Sequence, residues 1–175
     1  MELNGGILDL GILRGAYRIA QTDIEAAIAL VSHARRCVTV ENETTFHELV
    51  NLRSGDLLVW TSFPGSGTLA LLKRLPAEME FWHFGDTDPE GFEILRDLRE
   101  RSGRPFQSLH MTPRSAHVGP KLTTQEIRQL QRLIENPAMV AERTELERIL
   151  AAGHIGAYEQ ESLGRPNLNV WPYYS

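Results

Sequence analysis

A chain of 175 residues, 42% hydrophobic and 23% charged, carries enough apolar material for one packed domain and no apolar run near the ~18 residues that cross a bilayer. Its formal net charge of −5 argues against tight autonomous grip on duplex DNA, which usually takes a basic excess. The single cysteine, Cys37, excludes an intramolecular disulfide and a cysteine-built zinc cluster.

Along the chain, Met1-Glu2-Leu3-Asn4-Gly5-Gly6 lacks the basic-then-apolar order of a secretory leader, and a cytoplasmic protein without membrane contact is expected. Thr22-Asp23-Ile24-Glu25 has the form of a capping box, and Ile24, Ile28 and Val31 keep helical spacing, which predicts a helix to about Arg36. A strand-helix alternation begins there. Cys37-Val38-Thr39-Val40 reads as a strand with a buried thiol, and Thr44 to Leu52 as a helix. Leu57-Leu58-Val59-Trp60 reads as a strand closed by Pro64-Gly65-Ser66-Gly67, with a helix through Leu69, Leu72 and Leu75 behind it. Phe81-Trp82-His83-Phe84 is the third strand, Glu90 to Arg101 its helix, and Phe106 to Met111 a fourth strand. Such alternation predicts an α/β fold, an open and mostly parallel sheet with helices on both faces.

After a loop over Thr112 to Lys121, Thr123-Thr124-Gln125-Glu126 is a second capping box, opening a helix to Glu135. Asn136-Pro137 breaks it, a further helix is expected from Ala138 to Ala152, and another over Ile155 to Leu163. The apolar tail Val170-Trp171-Pro172-Tyr173-Tyr174 is expected to dock on the body. The organisation is therefore a helical or linker segment at 1–36, an α/β core at 37–111 and a helical extension at 112–175.

Two places put carboxylates beyond the carboxyl ends of the strands, where open α/β sheets bind ligands. Glu41 leaves the first strand in Val40-Glu41-Asn42-Glu43, and Asp86 and Asp88 follow the third in Phe84-Gly85-Asp86-Thr87-Asp88-Pro89. Right-handed crossovers bring these ends to one side of the sheet, where acids repel one another and a hard divalent cation relieves them. Each acid also has a structural reading. Asp88 before Pro89 suits an N-cap, Asp86 a turn and Glu41 a solvated strand end. Glu43 rivals Glu41, because one residue of register decides which points inward.

This pattern resembles the Toprim fold of topoisomerases, primases and several nucleases. The wording Val40-Glu41-Asn42-Glu43-Thr44-Thr45-Phe46, the turn Phe63-Pro64-Gly65 and Phe84-Gly85-Asp86-Thr87-Asp88-Pro89-Glu90-Gly91-Phe92 resembles, more narrowly, the C-terminal Toprim domain of JetD. JetD is the nuclease subunit of Wadjet anti-plasmid systems and is related to the topoisomerase VI A subunit. The resemblance implies a Rossmann-like Toprim fold with C-terminal helices, Asp86 and Asp88 holding Mg²⁺ or Mn²⁺, and Glu41 as a further ligand or general acid–base group. A weaker echo at Tyr158-Glu159-Gln160-Glu161 adds Glu161 as a candidate for a second metal.

The implied activity is metal-dependent endonuclease cleavage of plasmid DNA by hydrolysis. The implied partners are DNA and SMC-like complex subunits, with a homodimer as a further candidate. JetD-like proteins are longer and have an N-terminal region that contacts DNA and the partner complex, so this chain reads as a fragment or a short stand-alone member. Topoisomerase VI relatives cleave through a tyrosine on a winged-helix domain. Tyr17, Tyr158, Tyr173 and Tyr174 all lie outside the resembling core, which favours hydrolysis over covalent strand passage.

Two alternatives remain at this level: a catalytically inactive Toprim module that only binds nucleic acid, and a sulfotransferase-like enzyme. The second rests on Thr61-Ser62-Phe63-Pro64-Gly65-Ser66-Gly67-Thr68, which looks like a phosphosulfate-binding loop but has Gly65 where that family needs a base. A response-regulator receiver is disfavoured because the paired acids follow the third strand. Of the 18 basic residues 16 are arginine, clustered at Arg35-Arg36, Lys73-Arg74 and Arg96, Arg99, Arg101 and Arg104. They read equally as phosphate contacts and as solvated helix faces. His83 is expected on the face opposite Trp82 and Phe84, and His47 and His117 on the surface or packed.

Overall fold

The computed structural model describes residues 1–3, 6–9, 15–52, 55–113 and 119–155. The chain begins with a two-stranded antiparallel sheet, Glu2–Leu3 (β1) with Gly6–Ile7 (β2), and a six-residue helix, Gln21–Ala26 (α1). The expected helix to Arg36 does not form, and the N-cap is Ala20, without a side-chain cap. The cause lies outside the segment. The Arg74 guanidinium takes the carbonyls of Ile24 (2.6 Å) and Glu25 (3.0 Å), and also those of Ala27 and Ile28. The backbone of Glu2 pairs with Ile28 and Ala29, at 2.8 Å each. A backbone bonded to a strand and a guanidinium cannot continue the i→i−4 ladder, and Ile28 and Val31 are left exposed.

The alternation then runs as the sequence predicts: Arg36–Val40 (β3), Glu43–Leu52 (α2), Leu57–Trp60 (β4), Ser66–Arg74 (α3), Glu80–Phe84 (β5), Pro89–Ser102 (α4) and Gln107–Ser108 (β6). The four strands are parallel, in the order β4-β3-β5-β6. β6 is shorter than expected because His110 turns into the left-handed region (φ 58°), which ends extended backbone.

Alternation along the strands separates two apolar layers. Val38, Val40, Trp82 and Phe84 pack with Phe46 and Leu49 of α2. Cys37 and Phe81 face the other way, onto Leu72 of α3 and Phe92, Leu95 and Leu98 of α4. Helices thus cover both faces of a Rossmann-like Toprim sheet. Cys37 is fully buried, and burial, with Asp56 adding, pushes its thiol up to about 12, so it is inert packing.

The second capping box forms as predicted. Thr123 accepts from the Glu126 amide and Glu126 from the Thr123 amide, opening Thr124–Glu135 (α5). Asn136 ends α5, and its side chain caps a 3₁₀ segment, Pro137–Glu142, before Arg143–Ala152 (α6). The single helix expected from Ala138 is therefore broken near Met139, whose side chain is fully buried in the layer beside α4. The helix expected from Ile155 and the apolar tail fall, apart from Ile155 itself, outside the described residues. Among those described, no helix is long and apolar enough to cross a membrane.

The strand order fixes where a ligand can sit. β3 leads outward to β4 on one side, while β5 and β6 lie on the other, so the order reverses between β3 and β5. In open parallel sheets the crevice beyond the carboxyl ends at such a reversal is the binding position. Glu41 follows β3 and Asp86 follows β5.

Candidate metal centre

Glu41 is held on three sides. Its amide donates to the Phe84 carbonyl (3.1 Å), which extends the β3–β5 ladder by one residue. Its carbonyl accepts from the Trp60 indole (3.2 Å), and its Oε2 accepts from the Asp86 amide (3.0 Å). Because Val40 points into the α2 layer, the pleat turns Glu41 to the opposite face, shared with Thr39 and His83. Glu43 is already the first residue of α2, its side chain 58% exposed and 3.9 Å from His47. The register therefore brings Glu41, and not Glu43, to the Asp86 amide. Burial, together with the negative charges of Asp86, Asp88 and Glu90 and against the Asp86 hydrogen bond, pushes its carboxyl up to about 7.

The loop after β5 is shaped by two glycines that the acids require. A Cβ on Gly85 would lie 2.6 Å from His83 Nε2 and 2.9 Å from Glu41 Oε2. A Cβ on Gly91 would lie 2.3 Å from the Asp86 carbonyl oxygen, so only glycine lets the first turn of α4 close onto Asp86. Asp88 is the N-cap of α4, its Oδ1 accepting from the Gly91 amide (2.8 Å) ahead of Pro89. Burial, joined by the charges of Glu90 and Glu126, raises its carboxyl despite that bond. The N-cap reading of Asp88 is the one its bond to Gly91 shows.

Three further residues act on these acids or lie beside them, and the sequence reading placed none of them at the site. Glu90 acts on both Glu41 and Asp88 by its charge; its only sequence signal is its place in the Asp-Pro-Glu-Gly turn. Glu126 of α5 acts on Asp88, and α5 is brought there by Gln129, which donates to the Pro89 carbonyl (3.0 Å). His83 is fully buried, with Nδ1 2.9 Å from the Thr39 hydroxyl and Nε2 without a hydrogen-bond partner. Burial, with Arg99 adding, pushes it down to about 3, so the ring is neutral at any physiological pH. Thr61 and Thr87, beside the ends of β4 and β5, also bury hydroxyls without partners.

Other candidates lie elsewhere. Glu161 and His117 fall outside the described residues, and His47 is exposed on α2. Arg36, Arg74, Arg99 and Arg104 of these clusters are engaged within the fold rather than lying on solvated faces. Arg36 pairs with Asp56 (3.0 Å), and Arg99 binds Glu142 through both terminal nitrogens (2.5 and 2.8 Å). Arg104 takes the carbonyls of Leu72, Lys73 and Leu75 that end α3 and stacks 5.2 Å from the Phe81 ring centre. The loop proposed for phosphosulfate leads into α3, but Gln21 of α1 covers its start. Ser66 donates to the Gln21 side chain (2.5 Å), and Gly67 faces Gln21 Cβ.

The donors at the switch point are hard carboxylate oxygens in partly buried surroundings that raise two of them, the condition a divalent cation relieves. Among the described residues no three His, Cys, Asp or Glu side chains stand together as a ready-made cage. Hard oxygen donors of this kind are the class that Mg²⁺ and Mn²⁺ take, with water and phosphate oxygens in their other positions.

Residues 7–166 match the family described as "Wadjet protein JetD, C-terminal". A Bacillus cereus (strain Q1) protein named Wadjet protein JetD is 25% identical over 105 residues, which is 57% of this chain and 26% of that protein. The aligned part therefore takes in about a quarter of that relative's length. With the family match running through the whole parallel sheet and the helices that follow it, the chain belongs to the family of the C-terminal domain of Wadjet protein JetD.

Proposed function

We propose that this chain carries a divalent-cation-dependent phosphodiester-cleaving site that acts on DNA as the cutting part of a Wadjet-type defence assembly. The observation that carries the reading is the meeting of Glu41 with the Asp86 amide at the sheet's switch point, in a family named for a Wadjet protein. Asp86 and Asp88, with Glu41, would hold Mg²⁺ or Mn²⁺, which when bound polarises the scissile phosphate and stabilises the departing 3′ oxygen. Glu41, held by the Asp86 amide, would serve either as a further ligand or as the group that takes a proton from the attacking water and returns one to the leaving oxygen. Asp88 fixes the first turn of α4 through one oxygen, which keeps the acidic loop from moving off the end of β5.

The engagement of Arg36, Arg99 and Arg104 within the fold leaves DNA to be gripped elsewhere. SMC-like partner subunits, or further parts of a longer protein, would deliver it. A second reading, a Toprim module that binds nucleic acid without cutting it, draws on the lack of a three-donor cage among the described residues. Supercoiled plasmid incubated with the chain separates the two. The nuclease reading expects nicking with Mn²⁺ or Mg²⁺ that is lost in EDTA, in Glu41→Gln and in Asp86→Asn. Equal nicking by the variants, or nicking that survives EDTA, contradicts it.

A further inference from the structure

The inner side of α5 is fixed against the fold. Leu130 and Leu133 are buried in the layer that holds α4, and Gln129 donates to the Pro89 carbonyl at 3.0 Å. The start of α5 therefore lies beside the acidic loop, where the Glu126 charge acts on Asp88. The outer side carries Thr124, Gln125, Arg128, Gln131, Arg132 and Glu135, all exposed. Glu135, the one acid among them, stands at the end of α5 away from that loop.

Every other arginine on the described helices meets an acid or a backbone carbonyl of the fold. Arg74 and Arg99 do so as described above. Arg96 bonds Glu93 (2.6 Å) and Glu100, Arg101 bonds Asp97 (2.9 Å), Arg148 bonds Glu145 (3.0 Å), and Arg143 takes the Ile134 carbonyl (3.2 Å). Arg128 and Arg132 have no such partner among the described residues. The positions three and four residues either side of Arg128 are Thr124, Gln125, Gln131 and Arg132. Its charged neighbour on the helix face is thus a second arginine. Like charges at that spacing destabilise a helix, and an anion outside the helix relieves them.

We propose that this face of α5 is the track that takes the sugar-phosphate backbone of DNA, with Arg128 and Arg132 on phosphates and Thr124, Gln125 and Gln131 as neutral donors beside them. The inference rests on the DNA-cutting reading above and goes beyond it in naming the surface that holds the strand next to the acids. Four residues of helix set the two guanidiniums about 6 Å apart along the axis. Arginine forks, together with threonine and glutamine side chains, are groups that hold phosphate oxygens without reading bases. Two cations make a weak grip, in keeping with a net charge of −5, and delivery of the DNA stays with the partners.

The test is fluorescence anisotropy of a labelled short duplex over a series of salt concentrations in EDTA. The proteins are wild type, Arg128→Ala, Arg132→Ala, the double variant, Arg128→Lys and Arg35→Ala. Each lost phosphate contact should reduce the magnitude of the slope of log K against log salt by about 0.9, and the double variant by about 1.8. Affinity should fall alike on two unrelated sequences. Arg128→Lys keeps the charge and should keep the slope. Arg35→Ala, at an 84% exposed side chain paired with Glu80, should leave it unchanged. A double variant with the wild-type slope overturns the inference, as does wild type that binds no duplex at low salt. EDTA makes these titrations independent of any cation. Cation-dependent nicking by a double variant of unchanged slope strikes the track and leaves the cutting site. A slope lost as expected, in a wild-type chain that never nicks, keeps the track and strikes the cutting site.

Discussion

The Glu41 carboxylate and the Asp86 amide stand 45 residues apart in sequence and 3.0 Å apart in space. The contact ties the ends of β3 and β5 together and sets a half-buried carboxylate among other acids, which gives Glu41 a defined effect on stability. Its folded carboxyl titrates at about 7, against 4.5 ordinarily. Between those values the folded chain keeps a proton that the unfolded chain releases, so stability falls as pH rises through that window and is flat above it.

Glu41→Gln keeps an oxygen for the Asp86 amide and removes the charge. The variant should gain on wild type as pH rises from about 4.5 to about 7, and saturating divalent cation should reverse the gain at pH 8. Urea midpoints of both proteins at pH 5 and pH 8 measure this. A difference that does not change with pH would show that Glu41 titrates normally.

Asp88 has two roles that one pair of substitutions separates. Asparagine caps a helix about as well as aspartate, so Asp88→Asn should leave apo stability within about 0.5 kcal/mol, whereas Asp88→Ala should lose about 1 kcal/mol through the missing bond to Gly91. Thermal denaturation without metal reads both. A large loss in Asp88→Asn would mean that the charge itself holds α4 in place.

The two glycines should respond unequally. At Gly91 the added methyl meets backbone, 2.3 Å from the Asp86 carbonyl oxygen, and the loop must shift, at a cost of about 1–3 kcal/mol. At Gly85 it meets side-chain ends, His83 Nε2 and Glu41 Oε2. Gly85→Ala should therefore cost less stability while it cuts cation affinity. The reverse ranking in chemical denaturation would contradict the placement of the loop.

Arg99 and Glu142 form a two-bond ion pair, 12% and 4% exposed, that joins α4 to the 3₁₀ segment. Glu142→Gln leaves the guanidinium without its counter-charge and should cost roughly 3 kcal/mol or more, with little dependence on salt. A change below 0.5 kcal/mol (about the spread of neutral surface substitutions) would show that the carbonyls of Phe106 and Ala138 satisfy Arg99 alone.

Sequence and structure agree where a short run decides its own conformation. Leu57-Leu58-Val59-Trp60, the Thr123–Glu126 capping box and the Asp88-Pro89 start of α4 are all local, and all form. What the sequence left open depends on partners far along the chain. The helix after Thr22 stops because Arg74 and Glu2 claim its backbone. Glu41 and Glu43 are separated only by the β3 register, and the β4-β3-β5-β6 order that makes their neighbourhood a binding crevice has no local signature. His83 reads as an ordinary strand histidine, and its contact with Thr39 on the adjacent strand has no local signature either.

The most direct test of the account is the stabilisation that divalent cation gives the folded chain, compared in wild type, Glu41→Gln, Asp86→Asn and Asp88→Asn. Cation at a hundred times its dissociation constant should stabilise wild type by roughly 2.7 kcal/mol. If these acids form one site, each substitution should remove most of that gain. Asp86→Asn that keeps the full wild-type gain would contradict the account, because the cation would then bind somewhere other than the switch point between β3 and β5.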